Sequence, residues 1–370
     1  MPRSGVSQAD RELIAYAASR GFTVTARQIE RWRERALLLP NIRRGLGRGS
    51  TSEPAPGSHE LVVWLARHAR PGRRPSDLAL LAFGAGLAVP EAAVRVAFVG
   101  AANRVELSVQ RDMPSDSAPE DVADAVVAAG LRATMVPARI RRIDKALAGL
   151  GVDWAAPELT ALDRGPGIPP MGGNDWTLTA VQALLTGGGE VGLGTLGGLA
   201  RAMGPERAAA PVAALMEYGW PGNEEEAGRL LNEDGGLGFL PTGDQRQHLR
   251  DLATMTPVDE LFEAWQMAAQ MPRWATNLCD AVEREIDAGQ PGNATTEWWF
   301  GALGMPRPLL IMALRDRKAR PADIAITALL LIFVRNTIRL LRQLMPDGQF
   351  ELLAHPSVTP PFLVSFIKDI

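Results

Sequence analysis

The sequence predicts an all-α protein in which a small basic N-terminal unit precedes a larger, acidic, multi-helical body. Three observations predict it. Apolar residues recur at helical spacing along most of the chain. Strand-like alternation is scarce, and its best stretch, Val105-Glu106-Leu107-Ser108-Val109, fits equally as an extension of the helix before it. Charge is divided: residues 1–75 hold 14 Arg, no Lys and 6 acidic residues, a net of +8, while the remainder carries −11 and the whole chain −3. A basic module on an acidic body is the pattern of a chain whose N-terminus seeks a polyanion.

The elements follow in order. A first helix over Ala9–Arg20 takes Ser7 as cap and places Leu13, Ile14, Ala17 and Ala18 on one face. Gly21-Phe22-Thr23-Val24 makes a short turn. A second helix starts from Thr25, with Gln28 three residues on as in a capping box, and Pro40 closes the unit. Residues 41–57 read as a Gly-, Ser- and Pro-rich loop opened by Arg43, Arg44 and Arg48. Ser58 is expected to cap a third helix reaching Arg70, with Leu61, Val62 and Leu65 inward, and Pro71-Gly72-Arg73-Arg74-Pro75 breaks it. Helices are expected over 76–87, 90–110, 118–130 and 138–150. After the linker Gly165-Pro166-Gly167-Ile168-Pro169-Pro170 come helices near 176–186, 197–219, 224–233, 245–254, 257–270, 272–288, 295–302, 307–317 and 321–345. The expected domains are 1–75, then 76–164 as a helical domain or connector, then 174–370 as a helical C-terminal domain for dimerisation, effector or partner binding.

Bulk composition excludes several classes. The single Cys279 rules out an intrachain disulfide and a cysteine-based zinc site, and reads as a small buried apolar residue. No pair among His59, His68, His248 and His355 has zinc-ligand spacing, so neither metal nor cofactor is expected. Residues 1–10 lack the apolar core of a signal peptide. Ile324–Val334 has eleven uncharged residues between Asp323 and Arg335, short of the roughly 20 that a membrane span needs, and reads as a buried core helix. The expectation is a cytoplasmic protein without a membrane role. Richness in Ala, Arg and Gly with little Lys suggests a high-GC bacterial genome.

The second helix carries the most specific pattern. With Arg27 at zero on a helical wheel, Arg31 falls at about 40°, Arg35 at about 80° and Gln28 at about 100°, one continuous arc. Trp32, Ala36 and Ile29 occupy the next arc, from about 140° to 200°, ready to pack on the first helix. Arg can clamp phosphate or bond a guanine edge, and Gln can pair with adenine. Two short helices around a tight turn, the second bearing such a face, match what major-groove reading requires. The bland alternative is a solvated charge ladder, with Glu30 to Arg33 and Arg31 to Glu34 as helix neighbours. Glu30 and Glu34, at about 300° and 340°, border the basic arc. The segment Asn41-Ile42-Arg43-Arg44-Gly45-Leu46-Gly47-Arg48-Gly49-Ser50 adds a Gly/Arg loop whose backbone can approach phosphates closely; its alternative is a flexible linker.

On these residues the chain resembles a known family. Gln28-Ile29-Glu30-Arg31-Trp32-Arg33-Glu34-Arg35-Ala36-Leu37-Leu38-Leu39-Pro40, followed by an Arg/Gly wing, looks like the winged helix-turn-helix of MerR-type regulators, with Trp32 at the family's central aromatic position. The resemblance covers residues 7–85. It implies base or phosphate contacts by Arg27, Gln28 and Arg31 and wing–phosphate contacts by Arg43, Arg44 and Arg48; Thr25 and Arg35 join the expected DNA-binding set. The chain departs from the family at Ala36, where Gly is usual, and at Glu30, where Arg is common. Its wing is longer and lacks the usual aromatic. Pro71, Pro75, Gly84, Gly86 and Pro90 interrupt the region of the family's long dimerising helix.

The body offers weaker signals. Gly192-Leu193-Gly194-Thr195-Leu196-Gly197 matches a dinucleotide-loop string, yet no strand precedes it, so a helix connector is the expectation. Trp265, Met271, Trp274, Trp298 and Trp299 are candidates for an effector pocket or partner surface, with core packing as the default at helical spacing. Glu224-Glu225-Glu226 reads as a solvated first helical turn. No catalytic string stands out, and no enzyme is expected. The sequence therefore points to a sequence-specific DNA-binding transcriptional regulator acting on double-stranded DNA as a homo-oligomer, with a small-molecule or protein effector. The alternatives are a DNA-binding accessory or assembly protein of a phage or mobile element, a helical protein-interaction scaffold without nucleic acid, and, ranked last, an enzyme built on the Gly-rich segment.

Overall fold

A computed structural model describes residues 6–45, 51–110, 245–289, 292–294 and 319–344, together with positions 228, 231–233, 238, 363, 364 and 366. Helix occupies 71% of the described residues and strand 4%, so the protein is mainly α. The expected helices over 118–130, 138–150, 176–186, 197–219, 295–302 and 307–317, most of 224–233, the 165–170 linker and the Gly192–Gly197 string lie outside the described residues. One compact unit comprises Met1–Arg104, Arg250–Ala268 and Arg320–Leu329; a second comprises Val105–Leu249, Ala269–Ala319 and Leu330–Ile370.

The first unit opens with α1 (Gln8–Ser19), whose cap Ser7 accepts a hydrogen bond from the Asp10 backbone N–H at 3.0 Å. Ala9, Leu13 and Ala17, spaced at one face of a helix, are fully buried, whereas Ile14 is half-buried and Ala18 exposed. Helix α2 (Ala26–Glu34) packs on α1 through Ile29 and Trp32. The expected loop over 41–57 instead contains two short antiparallel strands, β1 (Ile42–Arg44) and β2 (Thr51–Glu53), paired Ile42 to Glu53, Arg43 to Ser52 and Arg44 to Thr51. Three-residue strands are too short to show alternation, which is why the pattern hid them. β2 lies against α1.

In α3 (Ser58–His68), Leu61, Val62 and Leu65 are buried as expected. Ser58 is not its cap. Gly57 holds that position with φ +73°, leaving Ser58 as a buried first-turn residue. The helix ends at His68, two residues short of the expected Arg70. On the outer side of the α1–α3 contact, His59 Nε2 lies 3.0 Å from Glu12 Oε1, and its ring meets Tyr16 edge-on at 4.9 Å. α4 (Pro75–Gly84) starts on a proline, which needs no backbone partner in a first turn. α5 (Glu91–Gln110) absorbs Val105–Val109 into its last turns, so the best strand candidate is helix.

Beyond α5 the described helices are α6 (Gln245–Met255), α7 (Val258–Asp287) and α8 (Pro321–Leu344). The two helices expected over 257–270 and 272–288 are one, running through Pro272. A buried stripe spaced three and four residues apart runs along it. Leu261, Ala264 and Ala268 lie before the proline and Ala275, Leu278 and Val282 after it, so burial of one face outweighs the hydrogen bond that the proline cannot make. By length and composition, Pro321–Leu340 of α8 could cross a membrane; Ala325, Ala328, Leu329 and Ile332 along it are buried within the protein.

An aromatic cluster of Phe83, Phe98, Phe262 and Trp265, meeting edge-to-face, centres the core of the first unit. α4 and α7 approach so closely here that a Cβ on Gly84 would overlap the Trp265 indole. The Gln266 side-chain amide donates to the Gly84 carbonyl at 2.7 Å across the same contact. Arg95 of α5 closes the end of α6, its guanidinium donating to the carbonyls of Thr254 at 2.6 Å and Thr256 at 2.9 Å while Glu91 holds it at 2.7 Å. A cation there satisfies orphan carbonyls and meets the negative end of the helix dipole. In the second unit, Ala275, Leu278, Cys279 and Val282 form a core flanked by Trp274 and Ala294. Glu285 there receives the backbone N–H groups of Gly292 and Ala294 at 3.1 and 3.0 Å.

Gly84→Ala should lower stability by about 1–3 kcal/mol, because the buried indole has no room to retreat. Urea denaturation of the full chain checks this, and an unchanged midpoint would contradict the close approach.

Candidate nucleic-acid interface

The second helix is built to hold its first turn rigid. Thr25 accepts from the Gln28 N–H at 3.3 Å, and Gln28 Oε1 accepts from the Thr25 N–H at 2.8 Å, a complete capping box. Gln28 Oε1 also accepts from the Thr25 hydroxyl at 3.1 Å. The side-chain oxygen of Gln28 is thus turned back into its own helix, and the residue is half-buried. A two-point adenine contact by Gln28 would require the box to open.

Arg27, Arg31 and Arg35 are exposed, as the helical wheel places them, and so is Thr25. Among the described residues no carboxylate pairs with any of these three arginines, so their charge is available to solvent. Glu30 and Glu34 are exposed as well. On the hairpin, Arg43 is exposed, and exposed Arg44 pairs with Glu53 at 2.9 Å, 70% and 48% accessible. A pair that open contributes about 0–1 kcal/mol and yields readily to a stronger anion. Arg48 lies outside the described residues.

The end of α2 is unusual. The Leu37 N–H bonds the Trp32 carbonyl at 2.8 Å and the Ala36 N–H bonds the Arg33 carbonyl at 2.9 Å, the paired bonds of a Schellman ending. The same pattern ends α1 at Gly21 and α4 at Gly86, both glycines with positive φ. Here the left-handed position is Ala36, at φ +52°. Spacing puts Ala36 on the packing arc; the ending instead takes it out of the helix and leaves it exposed. The turn delivers Leu37 and Leu38 into the core.

Sequence reasoning missed the polar cluster that ties these parts together. Arg33 Nη2 donates to Asp10 Oδ1 and to Asn41 Oδ1, each at 2.6 Å, and Arg33 Nε donates to the Leu39 carbonyl at 3.4 Å. Asn41 Nδ2 donates to Ser7 Oγ and Asp10 Oδ1, each at 3.2 Å. The Arg33 and Asp10 side chains are 21% and 17% accessible. Burial pushes the Asp10 carboxyl up. Hydrogen bonds with Arg33, Ser7 and Asn41 and the Arg33 charge outweigh it and hold the group below its ordinary value. A signal existed: Arg33 falls at about 240° on the wheel, beside the apolar arc, where an arginine needs a carboxylate partner.

Of the candidate effector residues that are described, Trp265 belongs to the first unit and Met271 and Trp274 to the second. Trp265 is 3% exposed in the aromatic core of the first unit, and Trp274 packs on the core of the second. Met271 is half-buried, and Trp298 and Trp299 lie outside the described residues. No protein-family model, curated protein or solved structure matches the chain.

Replacing Ala36 by Gly should raise stability by about 1 kcal/mol, since the left-handed region penalises a Cβ; calorimetry reads it as a higher Tm. Asp10 makes stability depend on pH. Its carboxyl titrates lower folded than unfolded, so its contribution is complete above about pH 4 and is lost as pH falls through the depressed folded value. Asp10→Asn should therefore flatten the stability profile below about pH 4 while costing about 2 kcal/mol near neutrality. Urea titrations across pH check both.

Proposed function

We propose that residues 7–85 form a MerR-like winged helix-turn-helix that binds double-stranded DNA, and that the chain is a sequence-specific transcriptional regulator. The observation that carries this reading is the exposed Arg27 and Arg31 on a short, capped helix packed on α1, with exposed Arg35 at its C-cap, followed by a β-hairpin bearing exposed Arg43 and Arg44. Guanidinium groups in this array can fork onto phosphate oxygens or a guanine edge, and an α-helix fits the major groove. The hairpin is placed in sequence where a wing would reach the flanking backbone. Short reading helices commonly act in pairs, so the remaining body is assigned dimerisation and effector or partner binding.

Two kinds of interaction separate in a salt titration. Removing one arginine–phosphate pair lowers the slope of log K against log salt by about one, whereas base recognition discriminates among sequences. Arg27→Ala with Arg31→Ala should abolish selection of a specific site from a pool of random duplexes and leave the circular dichroism spectrum of the chain unchanged. Full retention of site selection by this double variant would defeat the reading.

A further inference from the structure

The first strand of the hairpin has no core of its own. Ile42, Arg43 and Arg44 are all exposed, and among the described residues that follow them the next buried apolar one is Ala55, beyond β2. Contact between β2 and α1 supports one side. At the entry to β1 polar bonds hold the chain. Asn41, the residue before the strand, accepts from Arg33 at 2.6 Å and donates to Asp10 and Ser7 at 3.2 Å. A primary amide is suited to this place because one short group offers an acceptor and two donors. Arg33 meets it from α2 and also holds the Leu39 carbonyl in the approach to the strand. The same guanidinium nitrogen reaches Asp10 at 2.6 Å, so the start of α1, the end of α2 and the root of the hairpin share one junction.

From this junction we infer that Arg33 and Asn41 are positioning residues: they set the direction in which the hairpin leaves α2, and with it the placement of Arg43 and Arg44 relative to Arg27 and Arg31. The inference deepens the DNA-binding reading and rests on it for its consequence, but the geometry it describes exists without DNA. Neither residue needs to touch the nucleic acid. Their effect on binding passes through the two hairpin arginines, so removing the junction and removing those arginines should weaken the same interaction.

The test uses the full chain with Cys279→Ala, spin labels at Glu30→Cys on α2 and Thr51→Cys on the hairpin, and distance measurement by double electron–electron resonance. The parent should give one narrow distance, and Asn41→Ala a broad distribution. Arg33→Lys, which keeps a charge beside Asp10 without the guanidinium's reach, serves as second variant should Asn41→Ala fail to fold. Without labels, Asn41→Ala should bind a fluorescent random-sequence duplex about tenfold more weakly, with a salt slope lower by about two, one for each hairpin arginine. Arg43→Ala with Arg44→Ala should weaken the parent similarly and add nothing to Asn41→Ala, a non-additivity that general destabilisation would not produce. Equally narrow distances in parent and variants, or fully additive effects, would overturn the inference. A parent with no affinity for the duplex removes the DNA reading instead, and the spin-label distances then decide the junction by themselves.

Discussion

The arrangement of the N-terminal unit depends on one partly buried guanidinium. Arg33 sits where three chain segments meet, and Asp10, Asn41 and the Leu39 carbonyl each satisfy part of it. A charge partly withdrawn from water costs less when the donors turned inward are occupied, and a carboxylate supplies the matching sign. The requirement works in both directions. Arg33, with Ser7 and Asn41, holds the Asp10 carboxyl below its ordinary titration range against the effect of burial, and Asp10 gives the partly withdrawn Arg33 a partner of opposite sign. Apolar packing of Leu13, Ala17, Ile29 and Trp32 brings the two helices together. The ionic junction then selects one relative placement among those that greasy contact would accept.

A division of labour among the arginines follows. Those at the outer arc of α2 are left to solvent, Arg33 is consumed by structure, and Arg95 in the same unit closes a helix end. Composition alone treats these groups as equivalent positive charges. Their surroundings make them different chemical objects: the Arg33–Asp10 pair leaves the net charge of residues 1–75 unchanged, but the count of arginines there overstates how many can meet a polyanion.

Much of this is legible in the chain. The cap at Ser7, the capping box of Thr25 and Gln28, the burial of Ile29 and Trp32 and the exposure of Arg27, Arg31 and Arg35 all follow from spacing, because a helix fixes which side chains share a face. What escapes is non-local or very short. Nothing near Asn41 announces that Asp10 is its neighbour, since that contact crosses 31 residues. The strands of the hairpin are too brief to alternate. Pro272 reads as a break by its intrinsic cost, yet the apolar stripe on both sides outweighs that cost. Gly57 displaces Ser58 at a cap because a left-handed residue, not a side-chain acceptor, turns the chain there. At Trp265 helical spacing suggests core as the default, and the structure places it there.

The openness of β1 has a further consequence. A two-stranded ribbon presents unpaired backbone donors and acceptors along its margins, and such margins invite strands from neighbouring molecules. Here the margin carries two adjacent like charges, Arg43 and Arg44, with Gly45 directly after them. Mutual repulsion between copies of this ribbon discourages stacking of one chain on another. Of the two, Arg43 carries this repulsion more fully, because Arg44 is already answered by Glu53 across the ribbon.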